Sequence, residues 1–128
     1  MELEVGMYVR YISGFNNDKP IIKIGKVIEV LEYAIKLDTF RGGFFSKSEF
    51  SKLCMVGEPS FQIVELIGAG DYVNGYKVSF KDNDFKPYVQ CDYPVQEGTT
   101  NHYRFYEEAI YSIVTKEQFE SMSYKVGE

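Results

Sequence analysis

The fold is decided by the stretch Tyr72-Val73-Asn74-Gly75-Tyr76-Lys77-Val78. An Asn-Gly pair between residues that favour β structure predicts a two-residue hairpin, because a type I′ turn needs positive φ at both central positions. The pattern after the hairpin predicts further strands at residues 87–91, 103–106 and 110–114, with turns or loops at 81–84 and 97–101. The second half of the chain is therefore predicted to be an antiparallel sheet.

An internal repeat indicates that the first half has the same construction. Gly6-Met7-Tyr8-Val9 corresponds to Gly70-Asp71-Tyr72-Val73, and the Ser-Lys-Ser-Glu-Phe at 46–50 corresponds to the Thr-Lys-Glu-Gln-Phe at 115–119. Val56-Gly57 and Val126-Gly127 then follow in the same order. We interpret the chain as two copies of one small unit, residues 1–58 and 66–128, joined by an interlobe strand or linker at 59–65.

The first copy contains an alternating apolar segment that is typical of a half-buried strand. Between residues 21 and 31, four apolar side chains fall on one predicted face: Ile22, Ile24, Ile28 and Val30. Gly25 interrupts this segment, and an isolated glycine in a strand indicates a bulge or a sharp bend.

Each copy is predicted to contain a short helix that begins with a capping box. In such a box the first hydroxyl accepts a backbone N–H three residues on, and the fourth side chain reaches back. The two boxes are Ser46 with Glu49 and Thr115 with Gln118. Apolar pairs at i, i+3 share one helical face and should anchor each helix to its sheet. These pairs are Phe50 with Leu53 and Phe119 with Met122.

The predicted fold class is mainly β with short helices: two tandem SH3-like small barrels or half-barrels, each closed by a short capped helix. Closure suits short strands because it hides their edges. A unit of about 60 residues is marginally stable alone. The apolar stretch at 61–67 is therefore predicted to run as a strand between the two units and to hold them together.

Composition limits the classes of partner. The chain has 128 residues with 14 Lys and Arg against 19 Asp and Glu, a net charge of −5, which argues against binding long nucleic acid. No apolar run has the roughly 18 residues that a membrane span needs, and the acidic start does not resemble a signal peptide. Two cysteines without a C-x-x-C motif favour a reducing compartment, so we expect a cytoplasmic protein that does not contact a membrane.

No residue pattern predicts catalysis or a metal site. His102 is the only histidine, and neither Cys54 nor Cys91 lies in a recognisable activating sequence. The Asp-Asn-Asp at 82–84 resembles the start of a calcium loop but lacks the glycine and the glutamate that complete one. We therefore predict that the protein is not an enzyme and has no catalytic residue, cofactor or metal.

Aromatic residues supply the only candidate site. The chain has 11 Tyr and 10 Phe, and Tyr and Arg are enriched where protein interfaces bury most of their binding energy. Residues 101–106 alternate such side chains along a predicted strand. The candidate interface residues are Tyr88, Tyr93, His102, Tyr103, Arg104 and Tyr106. The same residues could equally serve as ordinary pairing residues within a sheet.

Several segments resemble small uncharacterised proteins encoded by phages and prophages of low-GC Gram-positive bacteria. The similar segments are residues 2–10, residues 59–78 with their Gly-Asp-Tyr-Val-Asn-Gly-Tyr-Lys-Val hairpin, and residues 110–122 with Ser-Ile-Val-Thr-Lys-Glu-Gln-Phe-Glu. The resemblance implies an origin in a mobile element and a location in the cytoplasm of a bacterial host. It assigns no catalytic or binding residue.

The function predicted from these observations is binding to a host protein. A phage protein without reactive groups is expected to antagonise a host-defence component, for example as an anti-CRISPR-type inhibitor. One alternative is a nucleic-acid or small-nucleotide binding module, in which aromatic rings stack on bases while Arg10, Arg41 and Arg104 contact phosphates. The other alternative is a subunit of a phage assembly or homo-oligomer, with exposed aromatic rings buried between copies.

Overall fold

The fold consists of two antiparallel five-stranded sheets, one of them a half-barrel, in a computed structural model that describes residues 2–96 and 99–122. The first sheet contains β1 (Tyr8–Asn16), β2 (Lys19–Val30), β3 (Ala34–Leu37), β4 (Phe44–Ser46) and β5 (Met55–Ser60). The second contains β6 (Tyr72–Val73), β7 (Tyr76–Asp82), β8 (Tyr88–Gln96), β9 (Thr99–Tyr106) and β10 (Ile113–Val114). The mainly β prediction is confirmed.

Helical segments are few and short in the described part of the chain. Helix α1 (Lys47–Glu49) runs directly into a π-helix (Phe50–Cys54), and α2 (Lys116–Met122) follows the last strand. Two 3-10 helices cover Ile63–Leu66 and Glu107–Ala109.

The two sheets share one strand order. In the first sheet the order is β4-β3-β2-β1-β5, and the second sheet, taken from its other edge, is β9-β8-β7-β6-β10. In both, four consecutive strands form a meander and the fifth pairs beside the first. This common order is consistent with two small β units of the same design.

The glycines that open the repeat form the same turn. Gly6 and Gly70 have φ of 99° and 95°, a region that favours glycine. The N–H of Gly6 donates to the carbonyl of Val27 at 2.9 Å, and the N–H of Gly70 donates to the carbonyl of Val78 at 2.9 Å. In both copies the valine N–H donates back to the residue after the glycine. The first element of the predicted repeat therefore has a matching structure.

The second element of the predicted repeat, the helix-forming sequences at 46–50 and 115–119, is not equivalent in the two copies. Helix α1 lies before β5, the fifth strand of the first sheet, whereas α2 lies after β10, the fifth strand of the second. The helices therefore occupy different places in the topology, and their similar sequences reflect similar local structure only. Val56-Gly57 lies within β5, and residues 126–127 lie outside the described residues.

Strand β2 contributes side chains from its two faces to the two cores. Ile24 packs in the core of the second sheet, whereas Val27 packs in the core of the first. The pairing with β3 shifts register between Val27 and Glu29, which leaves Ile28 as an extra residue with 45% of its surface exposed. The pairing of β2 with β1 runs through Gly25 without a register shift, so the predicted bulge is not at Gly25. The placement of Ile28 on the buried face is also wrong.

The predicted capping box and anchor pair of the first helix are also wrong. The Ser46 hydroxyl makes no capping hydrogen bond and lies 3.2 Å from the Ser48 hydroxyl instead. Phe50 is buried but Leu53 is 72% exposed. The π-helix has a wider turn than an α-helix, so Cys54 rather than Leu53 follows Phe50 onto the core.

The bond to the hydroxyl in the predicted capping box of the second helix is confirmed. The Gln118 N–H donates to the Thr115 hydroxyl oxygen at 3.1 Å, and the Thr115 hydroxyl donates to the Ile22 carbonyl on β2. Thr115 thus caps α2 and joins it to the first sheet. The Phe119 ring stacks on Tyr72 with 4.4 Å between centroids and stays half exposed, while the side chain of Met122 lies outside the described residues.

Two further predictions about local structure need correction. The interlobe segment 59–65 is not one strand, because Ser60 ends β5 and the Ile63–Leu66 segment is a 3-10 helix. The apolar character of residues 61–67 is explained by Val64, Leu66 and Ile67, which are buried in the second core. The loop predicted at 97–101 is shorter than expected: 99–101 belong to β9, and 97–98 lie outside the described residues.

Candidate protein-interaction surface

The Asn74-Gly75 hairpin holds the second sheet together. Both residues have positive φ, 52° and 88°, as the predicted type I′ turn requires. The Asn74 side chain also reaches the segment before β10. Its Nδ2 donates to the Ala109 carbonyl at 2.9 Å, and its Oδ1 accepts the N–H groups of Tyr111 and Ser112 at 3.0 and 3.1 Å. The turn therefore positions β10 beside β6.

The pairing of β7, β8 and β9 decides which candidate side chains share a face. Tyr88 lies opposite Tyr106, and Gln90 lies opposite Arg104. The intervening residue Val89 is buried in the second core, so these pairs lie on the opposite side of the sheet. We call this side the outer face; its residues are Phe80, Tyr88, Gln90, Asp92, His102, Arg104 and Tyr106.

An aromatic row with attached cations crosses the outer face. The Tyr88 ring lies 6.3 Å from Phe80 and 5.7 Å from Tyr106, measured between centroids. The Arg104 guanidinium carbon lies 4.9 Å from the centre of the Tyr88 ring, and the Lys86 ammonium lies 4.5 Å from the centre of the Tyr106 ring. Each tyrosine therefore carries a cation over its ring at a distance that attracts it.

Carboxylates surround this row. Asp92 Oδ1 lies 2.9 Å from Nδ1 of His102 and accepts the Ser79 hydroxyl at 3.1 Å. Glu108 lies 3.2 Å from the Lys86 ammonium. Its own backbone N–H and Lys86 hold the pKa of Glu108 below its usual value. The outer face thus presents charges of both signs around aromatic rings.

A notch adjoins the aromatic row. It has a volume of about 180 Å³ and lies between the turn after β7 and the paired rings of Tyr88 and Tyr106. Its lining residues are Asp82, Asp84, Phe85, Lys86, Tyr88 and Tyr106. Phe85 on its rim is 99% exposed, an unusual position for a large apolar ring. The notch extends the apolar part of the surface beyond the sheet.

The structure brings four of the six predicted interface residues together: Tyr88, His102, Arg104 and Tyr106. Tyr103 lies on the opposite side, beside Cys91, and its ring centroid is 5.2 Å from that of Tyr76. Tyr103 therefore does not share the outer face with the other four, and 41% of its surface is exposed. The backbone of Tyr93 pairs with Asn101, and its side chain lies outside the described residues.

Two aromatic residues of this surface were missed by sequence reasoning. Phe80 follows a register shift between Val78 and Phe80, which turns its ring to the outer face. Simple alternation along β7 would have placed Phe80 with the buried Val78. Phe85 lies in the turn after β7, where a large apolar residue between Asp and Lys was a signal that could have been used.

The arginines proposed for phosphate binding do not form one site. Arg10 is 13% exposed and donates to both carboxylate oxygens of Asp71, at 2.6 and 3.0 Å, and to Glu117 at 2.9 Å. Because these partners occupy the guanidinium, Arg10 is not available to a phosphate. Arg41 lines a groove that also includes Lys23 and belongs to a different part of the surface from Arg104.

The cysteines and metal-binding residue types form no reactive cluster in the described part of the chain. Cys91 is buried, and burial, with Asp92 nearby, raises the pKa of its thiol to about 11. No three His, Cys, Asp or Glu side chains among the described residues are arranged to hold a metal ion. Within residues 2–96 and 99–122, none of the helices has the length and apolar character to cross a bilayer.

Comparison with known proteins gave no match. A scan against protein-family models found no matching family, and searches of curated proteins and of solved structures found no similar protein.

Proposed function

We propose that this protein is a non-enzymatic module that binds another protein through its outer face. The observation that carries the proposal is the aromatic row of Phe80, Tyr88 and Tyr106 on the outer face, in which Phe80 is exposed, the two tyrosines are partly exposed, and Arg104 and Lys86 lie over the tyrosine rings. Aromatic and Arg side chains bury large areas with few rotatable bonds to fix, which makes them effective centres of protein interfaces.

The charge around the row favours a protein over a nucleic acid. Four carboxylates lie on or beside it, whereas the nearby fixed cations are Lys77, Lys86 and Arg104. The carboxylates are Asp82, Asp84, Asp92 and Glu108. A phosphate backbone would approach these negative charges closely, while a protein surface can supply groups of both signs.

The partner to test first is a host-defence protein. The resemblance of residues 59–78 and 110–122 to phage and prophage proteins supports this choice, and a CRISPR effector is the first candidate. An inhibitor of this kind acts by covering a functional surface of its target. It needs a complementary face on a stable scaffold and no reactive group, and it would act in the host cytoplasm.

The test is affinity capture from bacterial host lysate, followed by measurement with the purified partner. We compare the wild-type protein with a double variant, Tyr88→Ala with Tyr106→Ala, and with the matched control Tyr33→Ala. Tyr33 is highly exposed but belongs to the first unit. Its replacement shows whether the loss of any exposed tyrosine, away from the outer face, reduces binding. We expect the double variant to lose the partner and the control to retain it.

Equal capture by the double variant and the control would contradict the proposal. Circular dichroism of each variant checks that the fold is intact, because both tyrosines also contact neighbours on the sheet.

Binding of a single-stranded nucleic acid or a small nucleotide is the second candidate, and the aromatic row itself favours it. Bases stack on accessible aromatic rings, and Arg104 over Tyr88 could contact a phosphate. A titration with labelled single strands at rising salt separates the two candidates. Binding that weakens steeply as salt rises would support contacts with phosphates. If no binding is measured at low salt, the nucleic-acid candidate is excluded.

A further inference from the structure

Strand β9 forms a long open edge of the second sheet. It is the last strand in the order β10-β6-β7-β8-β9, and in the described part of the chain only β8 pairs with it. The edge is eight residues long, whereas β10 at the other edge has two. An edge strand presents unpaired N–H and C=O groups along its free side, and these can pair with another strand.

The β9 edge has neither the proline nor the lysine that often protect such a strand. Its sequence, Thr-Thr-Asn-His-Tyr-Arg-Phe-Tyr, contains no proline and no lysine and is rich in residues that favour β structure. Strand β4 holds the same place in the first sheet, but it has three residues and runs directly into α1. The second unit thus has a long edge where the first has a short one.

We propose that the partner adds a β-strand along the free edge of β9, and that this strand carries a carboxylate opposite Arg104. Strand addition supplies affinity through main-chain hydrogen bonds and specificity through alternate side chains. The inference rests on the proposed function, because the outer face and the β9 edge are continuous through His102, Arg104 and Tyr106. One partner segment could therefore cover both.

The charge of β9 decides the chemistry of the added strand. Arg104 is exposed and lies over Tyr88, and no carboxylate among the described residues forms an ion pair with it. A neighbouring strand would place one of its own side chains directly across from Arg104, where opposite charges attract. Acidic side chains are thus favoured there.

The same argument disfavours a second copy of the chain as the occupant. Strand β9 contains no Asp or Glu, so pairing of two β9 strands offers Arg104 no carboxylate in any register. In the register centred on Arg104, the two guanidinium groups would face each other, which is unfavourable.

The experiment uses two synthetic peptides with acetyl and amide ends. Both alternate Thr and Val, and they differ only in carrying Glu or Lys at the central positions of one face. Fluorescence anisotropy of labelled peptides gives affinity, and amide hydrogen exchange of residues 102–106 shows whether the β9 edge is covered. We expect the Glu peptide to bind about three- to tenfold more tightly than the Lys peptide and to slow exchange in β9.

Charge reversal then tests the role of Arg104. Arg104→Glu should invert the preference, so that the Lys peptide binds more tightly. The control Arg41→Glu makes the same change at an exposed arginine of the first unit and should leave the preference as in the wild type. Both sites are exposed, so folding is expected to be retained. The milder variant Arg104→Gln should bind the Glu and Lys peptides equally well.

Three results would overturn strand addition. They are no binding of either peptide at millimolar concentration, binding without slowed exchange in β9, and slowed exchange without peptide in a protein that sediments as a dimer. A host partner captured through the outer face in any of these cases would leave the proposed function standing. Absence of any partner dependent on Tyr88 and Tyr106, with peptides still bound at β9, would instead remove the proposed function.

Discussion

Met7 and Asp71 occupy equivalent positions in two turns that have the same backbone hydrogen bonds. The N–H of Met7 donates to the Glu4 carbonyl at 3.1 Å, and the N–H of Asp71 donates to the Gly68 carbonyl at 3.1 Å. Both side chains are buried, but Met7 packs in the first core whereas Asp71 accepts two hydrogen bonds from Arg10 of the first sheet. The same turn position thus serves the first core in one unit and a polar contact between the sheets in the other.

Loss of the Asp71 charge is expected to destabilise the protein strongly. Asp71→Asn leaves the largely buried Arg10 guanidinium with Glu117 as its only ionic partner, and breaking a buried pair typically costs about 3 kcal/mol or more. Denaturant unfolding monitored by circular dichroism measures this change. Glu117→Gln is the matched comparison and should cost about 1 kcal/mol, because Glu117 is more exposed and makes one bond. Equal costs for the two variants would contradict the interpretation.

The contribution of Asp71 should also depend on pH. Burial alone would raise the pKa of Asp71, but hydrogen bonds from Arg10 and from the N–H groups of Gly68 and Lys116 outweigh burial and hold it below its ordinary value. The unfolded chain regains the ordinary pKa, about 3.9. Between the two pKa values the unfolded state binds more protons, so stability rises with pH in that interval.

The pH prediction is measured as a difference between proteins. The free energy of unfolding of the wild type minus that of Asp71→Asn should be constant above the unfolded pKa. It should shrink as the pH falls through the folded pKa of Asp71, where the carboxylate becomes protonated. Arg10 stays charged throughout, since burial lowers its pKa less than Asp71 and Glu117 raise it. A difference that does not change down to about pH 2 would show that Asp71 is not the titrating group.

Asn74 is expected to stabilise the second sheet in two ways: through its preference for the turn conformation and through the hydrogen bonds of its side chain. Asn74→Gly keeps a residue suited to positive φ but removes three side-chain hydrogen bonds to the segment before β10. At roughly 1 kcal/mol for each bond, the expected loss is about 2–3 kcal/mol in denaturant unfolding. Asn83→Gly, at an exposed turn position, serves as the control and should change stability by less than about 0.5 kcal/mol.

Gly25 is required because two side chains approach its backbone. A Cβ at this position would overlap the Thr39 hydroxyl and lie 3.2 Å from the Tyr11 ring. The two groups are also joined by a hydrogen bond of 2.9 Å, which limits their freedom to move aside. We expect Gly25→Ala to cost about 1–3 kcal/mol, measured as a lower denaturation midpoint.

Gly14 provides the control for Gly25, since a Cβ added there would meet no atom within 4 Å and its φ is not positive. Gly14→Ala should be neutral or slightly stabilising because it reduces the freedom of the unfolded chain. An equal loss at both glycines would indicate a general effect of the substitution and not the contact with Thr39 and Tyr11.

The parts of the fold that sequence predicted are those with local causes. The Asn74-Gly75 turn and the Thr115 cap each depend on groups within a few residues, so short patterns were sufficient. The Arg10–Asp71 contact joins residues 61 positions apart, and no local pattern specifies such a pair. Leu53 was placed wrongly because the sequence does not distinguish a π-turn from an α-turn.

The candidate site was predicted in part for a similar reason. Tyr88, Arg104 and Tyr106 share one face because strand residues alternate, and this followed once the strands were located. Tyr103 is the residue before Arg104 on the same strand, so its side chain lies on the other side of the sheet. Phe80 was missed because the register shift before it reverses the alternation, and such irregularities depend on how neighbouring strands pair.

Strand β2 supplies Val27 to one core and Ile24 to the other, although it belongs to a single sheet. A fragment ending before residue 66 would expose Ile24 to water, and a fragment beginning there would leave a hole where that side chain fits. The two units are therefore not independent modules: neither is expected to fold when expressed by itself, and heat should melt the whole chain in one cooperative step.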